Sequence, residues 1–203
     1  MAINESKIID AVNSMNPQGN EEGIIDAFGV YLTNHYADYY NKISFRFEEA
    51  LAKEDKAFAD MAQLLLKQAG HVCAYFTFGG IYRSDAWKGL IAPMCNSKED
   101  EVKGVIACIN ALGWGKWKVK SVNKNKLVVQ VKNSYESIGH LKEFPKSKHS
   151  ECYLLTGGLQ GLMDLIYGEY VDEEGEKSYY TPKETKCRCK GNHYCEVVVT
   201  RKK

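Results

Sequence analysis

The sequence predicts an α+β fold, with N-terminal helices packed on a four-stranded antiparallel sheet made of two hairpins with an intervening helix. Three observations predict it. Apolar residues recur at helical spacing through most of the first 112 positions. After Gly115 the period drops to two, with Trp117, Val119 and Ser121 alternating against Lys116, Lys118 and Lys120. A further helical stretch then leads into a second alternating pair at the end of the sequence.

Taken in order, residues 5–15 read as a short helix with Ile8, Ile9 and Val12 on one side, broken by Pro17–Asn20. Gly23–Ile43 reads as a helix through Ile24, Ala27, Phe28, Tyr31, His35 and Tyr39. Ala57–Phe78 carries an apolar stripe of Phe58, Met61, Ala62, Leu65, Ala69, Val72, Cys73 and Phe76, and Gly79-Gly80 is expected to end it. Ser97, three residues before Asp100, is a cap for a helix bearing Val102, Val105, Ile106, Ile109 and Leu112 and stopping at Gly113. Asn123-Lys124-Asn125 turns the first hairpin into Leu127–Val131. Residues 140–150, polar and containing Pro145, read as a loop, and Cys152–Tyr167 as a helix. Asp172–Glu176 is expected to be an acidic turn. Lys177–Cys189 and Cys195–Thr200 are expected as strands turning at Gly191-Asn192. The expected organisation is one domain over 1–203, mainly helical over 1–95, with the sheet in 96–203.

Composition narrows the function classes. With 27 basic and 26 acidic residues the formal net charge is +1, which gives no global attraction for nucleic acid or an anionic membrane. No apolar run reaches membrane-spanning length. The first residues lack the basic-then-apolar pattern of a secretory signal, so the expected location is the cytoplasm. At 44% hydrophobic the chain can bury a core without disulfide bonds.

Seven cysteines cannot all pair within one chain. Cys73, Cys95 and Cys108 are scattered among apolar residues, whereas Cys187, Cys189 and Cys195 cluster. In a reducing compartment such a cluster points to metal or redox chemistry before disulfides. On a regular strand Cys187 and Cys189 share a face, and Glu184 joins them only through a bulge or twist. Three thiolates with one carboxylate, or with a fourth thiolate, form a closed tetrahedral set suited to zinc. Three free thiols in a reducing cytosol are the alternative. Cys187-Arg188-Cys189 also places two thiols beside a cation, a pattern for a redox sensor.

Aromatic residues are plentiful: Phe28, Tyr31, Tyr75, Phe76, Phe78, Trp87, Trp114 and Trp117. They serve either as core or as the wall of an apolar cavity. Of the two histidines at helical positions, His35 and His71, His71 with Tyr75 one turn on is the better cavity candidate. Gly157, Gly158 and Gly161 do not follow a strand as a phosphate loop does, and read as points of close backbone packing. No dinucleotide fingerprint and no catalytic constellation are evident, so the expectation leans away from an enzyme.

Cys152-x4-Gly157-x3-Gly161, Tyr167-Gly168, Glu184-x2-Cys187 and Gly191-x3-Cys195 together resemble the C-terminal half of the 4-vinyl reductase domain family. Leu112-Gly113-Trp114-Gly115 and Asn133-Ser134 extend the resemblance to about residue 95. The resemblance implies a ligand-binding α+β fold shared with Golgi transport-particle subunits and with the sensor domains of phenol-responsive activators. It also implies one zinc held by Cys152, Glu184, Cys187 and Cys195. Cys189 is an alternative fourth ligand, and a four-cysteine site could hold an iron–sulfur cluster instead. Four protein ligands leave no open position, so the zinc is expected to be structural. Phenol-sensing relatives carry a tryptophan where this chain has Val131, which argues against phenol itself. The ATPase and helix-turn-helix modules of those activators have no counterpart here. The resulting expectation is a stand-alone, homodimeric binding or sensing domain for a small apolar or aromatic ligand, with His71, Tyr75, Phe76, Trp114, Trp117 and Val131 around the ligand. A tetrapyrrole-binding accessory or 4-vinyl reductase-like protein is one alternative, and a protein-interaction scaffold is another.

Overall fold

The computed structural model describes residues 3–168 and 178–203, so the expected acidic turn at 172–176 lies outside the described residues. The fold is α+β, with a four-stranded antiparallel sheet and a separate two-stranded one. The elements are α1 (Glu5–Ser14), β1 (Ile25–Ala27), β2 (Val30–Leu32), α2 (Ala37–Glu54), α3 (Lys56–Cys73), α4 (Gly79–Arg83), α5 (Lys98–Ala111), β3 (Lys116–Asn123), β4 (Lys126–Lys132), α6 (Tyr135–Glu143), α7 (Tyr153–Tyr167), β5 (Tyr180–Lys186) and β6 (Cys195–Arg201). The large sheet runs β3-β4-β6-β5, so the two hairpins meet through β4 and β6. Their register sets Trp117 opposite Val131, and Val131 opposite Cys195. The period-two pattern turns Leu127, Val129, Val131, Val197 and Val199 onto one buried face. A bulge between Val119 and Ser121 shifts the alternation of β3 near its far end.

Helix α7 is the central element, buried along nearly its whole length between the sheet and α3. Its glycines make this possible. A methyl group on Gly157 would collide with the carbonyl of Lys67, and one on Gly161 with the carbonyl of His71. The two backbones therefore approach as closely as glycine alone allows. Helix α5 begins as its sequence suggests, with the Ser97 hydroxyl accepting the Asp100 N–H at 3.2 Å.

Four sequence expectations are corrected. Gly23–Ile43 is not one helix. Residues 25–32 form a hairpin whose two central residues, Phe28 (φ 56°) and Gly29 (φ 67°), both take the left-handed conformation of a tight reversal, and α2 starts only at Ala37. Apolar residues at 24, 27, 28 and 31 suit a helix, but short alternating strands read equally well. Gly79-Gly80 does not stop the preceding helix. The chain passes through a π-helical turn (Ala74–Phe78) and continues to Arg83. Gly80 instead makes room for the Val30 side chain. Residues 140–143 belong to α6 rather than to a loop. The inward face of α6 carries Glu136, Ser137 and His140, all buried polar groups that hide the helical pattern. The strand expected to reach Cys189 ends at Lys186, and Arg188–Lys190 form a 3₁₀ turn.

The large side chains of the stripe expected over Ala57–Phe78 lie outward, with Ala62 inward. Phe58, Met61, Leu65 and Phe76 are exposed, and the helix packs inward with Ala59, Ala62, Gly70 and His71. Together with Ile43 and Phe47 of α2 and Leu64 of α3, they leave an apolar surface open.

Candidate functional site

Cys152, Glu184, Cys187 and Cys195 converge from three places in the fold. Cys152 caps the N-terminus of α7, Glu184 lies on β5, Cys187 follows β5 and Cys195 opens β6. One ligand atom from each lies within 4.8 Å of all the others. Two local devices achieve this. A bulge between Glu184 and Lys186 resets the pairing of β5 with β6, so Glu184 reaches the sulfurs. Beyond the strand, Gly191 (φ 95°) turns the chain, while Asn192 exchanges hydrogen bonds with the backbone of Cys187. The Cys152 and Cys195 sulfurs are 3.5 Å apart, and the Arg188 N–H donates to the Cys195 sulfur at 3.4 Å. Ser134 places its hydroxyl 3.6 Å from the Cys152 sulfur. Cys189 stands outside the four: it is buried, with its sulfur 4.0 Å from the Ser137 carbonyl. All seven cysteines are free thiols.

The electrostatics of this cluster ask for a cation. The Cys187 thiol is held far below its ordinary value, first by the hydrogen bond from Cys152 and then by those from Cys189 and Cys195. Glu184 is pushed up to about 9, chiefly by burial and next by the negative Cys187. Its Oε2 accepts the Cys152 N–H at 3.2 Å, while the buried Oε1 has no hydrogen-bond partner. Three soft sulfurs and one orphaned carboxylate oxygen are donors that a divalent, thiophilic cation satisfies together. The cluster can therefore hold a metal ion.

A second feature is a cavity of about 460 Å³. One wall is Leu32–His35 with Ala37 and Tyr40. The next is the end of α3 and the π-helical turn, with Ala69, Gly70, Cys73, Ala74, Thr77 and Phe78. Trp114, Trp117 and Tyr135 close a third side, and Leu154, Leu155 and Gly158 of α7 a fourth. The Trp114 ring lies 5.8 Å from Phe78 and 6.3 Å from Tyr135, the latter edge-on. Trp117 is fixed by two hydrogen bonds with the Asn110 side chain and donates its indole N–H to the Trp114 carbonyl. Among the described residues the lining contains no lysine, arginine, aspartate or glutamate.

Of the residues predicted around a ligand, Trp114 and Trp117 line this cavity, and four do not. His71 is buried on the other side of α3 and paired with Asp164 at 2.9 Å. Asp164 also accepts from Ser178 and from the Tyr179 N–H. Tyr75 stacks on His71, Phe76 is exposed, and Val131 is buried under the sheet. The contributions of Tyr40, Cys73, Thr77 and Tyr135 were not legible, because the lining comes from four separated segments with no common spacing.

No family model matches the chain, and no curated protein matches it by sequence. Solved structures do resemble it, among them the following two. One is the phenol-responsive sensory domain of the transcription activator PoxR with phenol, at a TM-score of 0.71 and 12% identity, covering 97% of this chain and 90% of that one. The other is a trafficking protein particle complex subunit 3 from Naegleria fowleri, covalently bound to palmitic acid, at a TM-score of 0.55 and 12% identity, covering 82% of this chain and 95% of that one. The fold is thus one shared by a sensory domain and by a transport-particle subunit.

Proposed function

We propose that the protein is a small-molecule binding or sensing domain of the 4-vinyl reductase type, a single domain whose cavity takes a neutral apolar or aromatic molecule. The observation that carries this reading is the cavity itself, large enough for a drug-sized molecule, rich in aromatic walls and, among the described residues, without a lysine, arginine, aspartate or glutamate to pair with an ionic ligand. The PoxR neighbour, a phenol-responsive sensory domain, supports it at the level of fold. Val131 lies in the core, so any tryptophan contact of the phenol sensors at this position has no counterpart here. The test is a thermal-shift screen of neutral aromatic and aliphatic compounds. Hits are expected to lose their shift in Trp114→Ala, and a ligand that binds this variant equally well places the site elsewhere.

The reading includes a zinc ion on Cys152, Glu184, Cys187 and Cys195. With these four ligands the ion would have a closed shell, fixing the start of α7 to the β5–β6 turn. Elemental analysis of protein purified without chelator is expected to give about one zinc per chain. Iron with visible absorbance would favour an iron–sulfur cluster.

The exposed apolar surface of α2 and α3 supports a homodimer formed through these helices. A second ligand class, a fatty acyl chain, is favoured by one observation. Cys73 lines the cavity with an exposed thiol, and the transport-particle neighbour carries covalently bound palmitic acid. Intact mass spectrometry with and without hydroxylamine distinguishes a thioester from a non-covalent ligand.

A further inference from the structure

A smaller pocket, of about 160 Å³, opens beside the cysteine cluster and is separate in its lining from the large cavity. It has the volume of about five water molecules in the liquid, too little for an apolar ligand of ordinary size. Its lining carries lysines and a glutamate, which the large cavity's does not. Lys67, Lys183, Ser150 and Thr156 line it, and Glu184 with Cys152 form the side facing the cluster.

Three features set this pocket apart from a solvated dimple. First, neither lysine has a carboxylate partner among the described residues. The Lys67 ammonium lies 5.7 Å from the centre of the Tyr153 ring, a contact that holds it in place without cancelling its charge. Second, Thr156 is 2% exposed, and its Oγ1 is a buried donor with no hydrogen-bond partner. An unmatched buried hydroxyl costs on the order of 1–3 kcal/mol, so a partner in the pocket is favoured. Third, the one acidic group on the lining, Glu184, already accepts the Cys152 N–H.

We infer that this pocket binds a small oxyanion of carboxylate size, held between Lys67 and Lys183 with the Thr156 hydroxyl donating to it. Ionised carboxylate or phosphate oxygens accept charge-assisted hydrogen bonds from ammonium groups and supply the acceptor that Thr156 lacks. The site rests on the lysines and the hydroxyl, not on a metal in the cluster.

The test is an amide NMR titration of the full chain at constant ionic strength, replacing chloride with acetate in one arm and with inorganic phosphate in the other. Saturable shifts centred on Lys67, Thr156 and Lys183 are expected with acetate. They should weaken about tenfold in Lys67→Gln/Lys183→Gln and several-fold in Thr156→Val. Lys183→Gln, at an exposed position, keeps the test open should the double variant fail to fold. Shifts that stay linear in acetate, or that persist unchanged in these variants, overturn the site. So does an equal response to formamide, which carries no charge. Saturation by phosphate alone overturns the carboxylate assignment. Zinc content and the thermal shifts with neutral compounds, measured on the same variants, report separately on the cluster and on the large cavity.

Discussion

The two sides of α7 hold the molecule together by different means. At its N-terminus a cluster of thiols and a carboxylate gathers α7, β5 and β6 around one point, within 4.8 Å. Along its flank the same helix meets α3 through bare backbone, with Gly157 and Gly161 against the carbonyls of Lys67 and His71. The first contact depends on the chemistry of the donors. The second depends only on the absence of side chains. The comparison shows one helix being placed both by the donor groups it carries and by the side chains it lacks.

The largest effect is expected from the cluster. Cys195→Ser or Cys152→Ser should abolish metal retention and unfold the C-terminal half, since structural zinc contributes on the order of 10 kcal/mol to the folding of small sites. Metal content together with a circular-dichroism melt checks it. Cys189→Ser, whose sulfur stands outside the group, should keep the metal, and loss of zinc there would break the assignment of Glu184 as fourth ligand.

Next is the glycine contact. Gly157→Ala should cost about 1–3 kcal/mol in a urea titration by pushing α7 off α3. Gly158→Ala, where a methyl group meets only ordinary van der Waals neighbours, should be neutral or stabilise by up to about 1 kcal/mol, because alanine is the better helix former. Equal effects at the two positions would remove the close approach as the reason for the glycines.

A third effect is a pH slope. Glu136 is fully buried and accepts the N–H groups of Leu154 and Leu155, and burial pushes its carboxyl up to about 8 from an ordinary 4.5. The native state therefore keeps a proton that the unfolded chain releases. The contribution of Glu136 is full below pH 4.5 and is lost as pH rises through about 8. Urea midpoints measured across this range should fall with pH in the parent. Glu136→Gln should flatten the fall, and an unchanged slope would assign it to another group.

The smallest effect on stability, and a clear one on association, is expected at the open face of α2 and α3. Leu64→Ser with Leu65→Ser should change stability by no more than about 0.5 kcal/mol per site. The same pair should shift sedimentation from dimer to monomer. A parent that is already monomeric would remove the dimer reading.

The sheet was legible because alternation is unambiguous where lysines alternate with Trp117 and Val119, and where Leu127, Val129 and Val131 share one face. The four cluster residues were named through the family resemblance, while spacing alone left Cys189 and Glu184 open. It was the bulge after Glu184, invisible in the sequence, that brought the carboxylate to the sulfurs. The hairpin at residues 25–32 was missed because Phe28 is a rare residue for positive φ and gave no turn signal. The helical pattern over Ala57–Phe78 suggests that its largest apolar residues face inward, with His71 and Tyr75 toward a ligand. In the folded chain small residues do that, and His71 finds a buried carboxylate 93 positions away.

The strand order carries a consequence for the making of the protein. β6 lies inside the sheet although it is the last of the sheet's four strands to be made, and β4, on which it pairs, is complete by Lys132. On the ribosome, β3 and β4 must wait with one edge of backbone amides unpaired until Cys195–Arg201 emerge. The last sulfur of the cluster arrives with that same strand. Sheet closure and completion of the cysteine cluster are therefore one event in synthesis, and until then the nascent chain offers an open edge of the kind that chaperones shield.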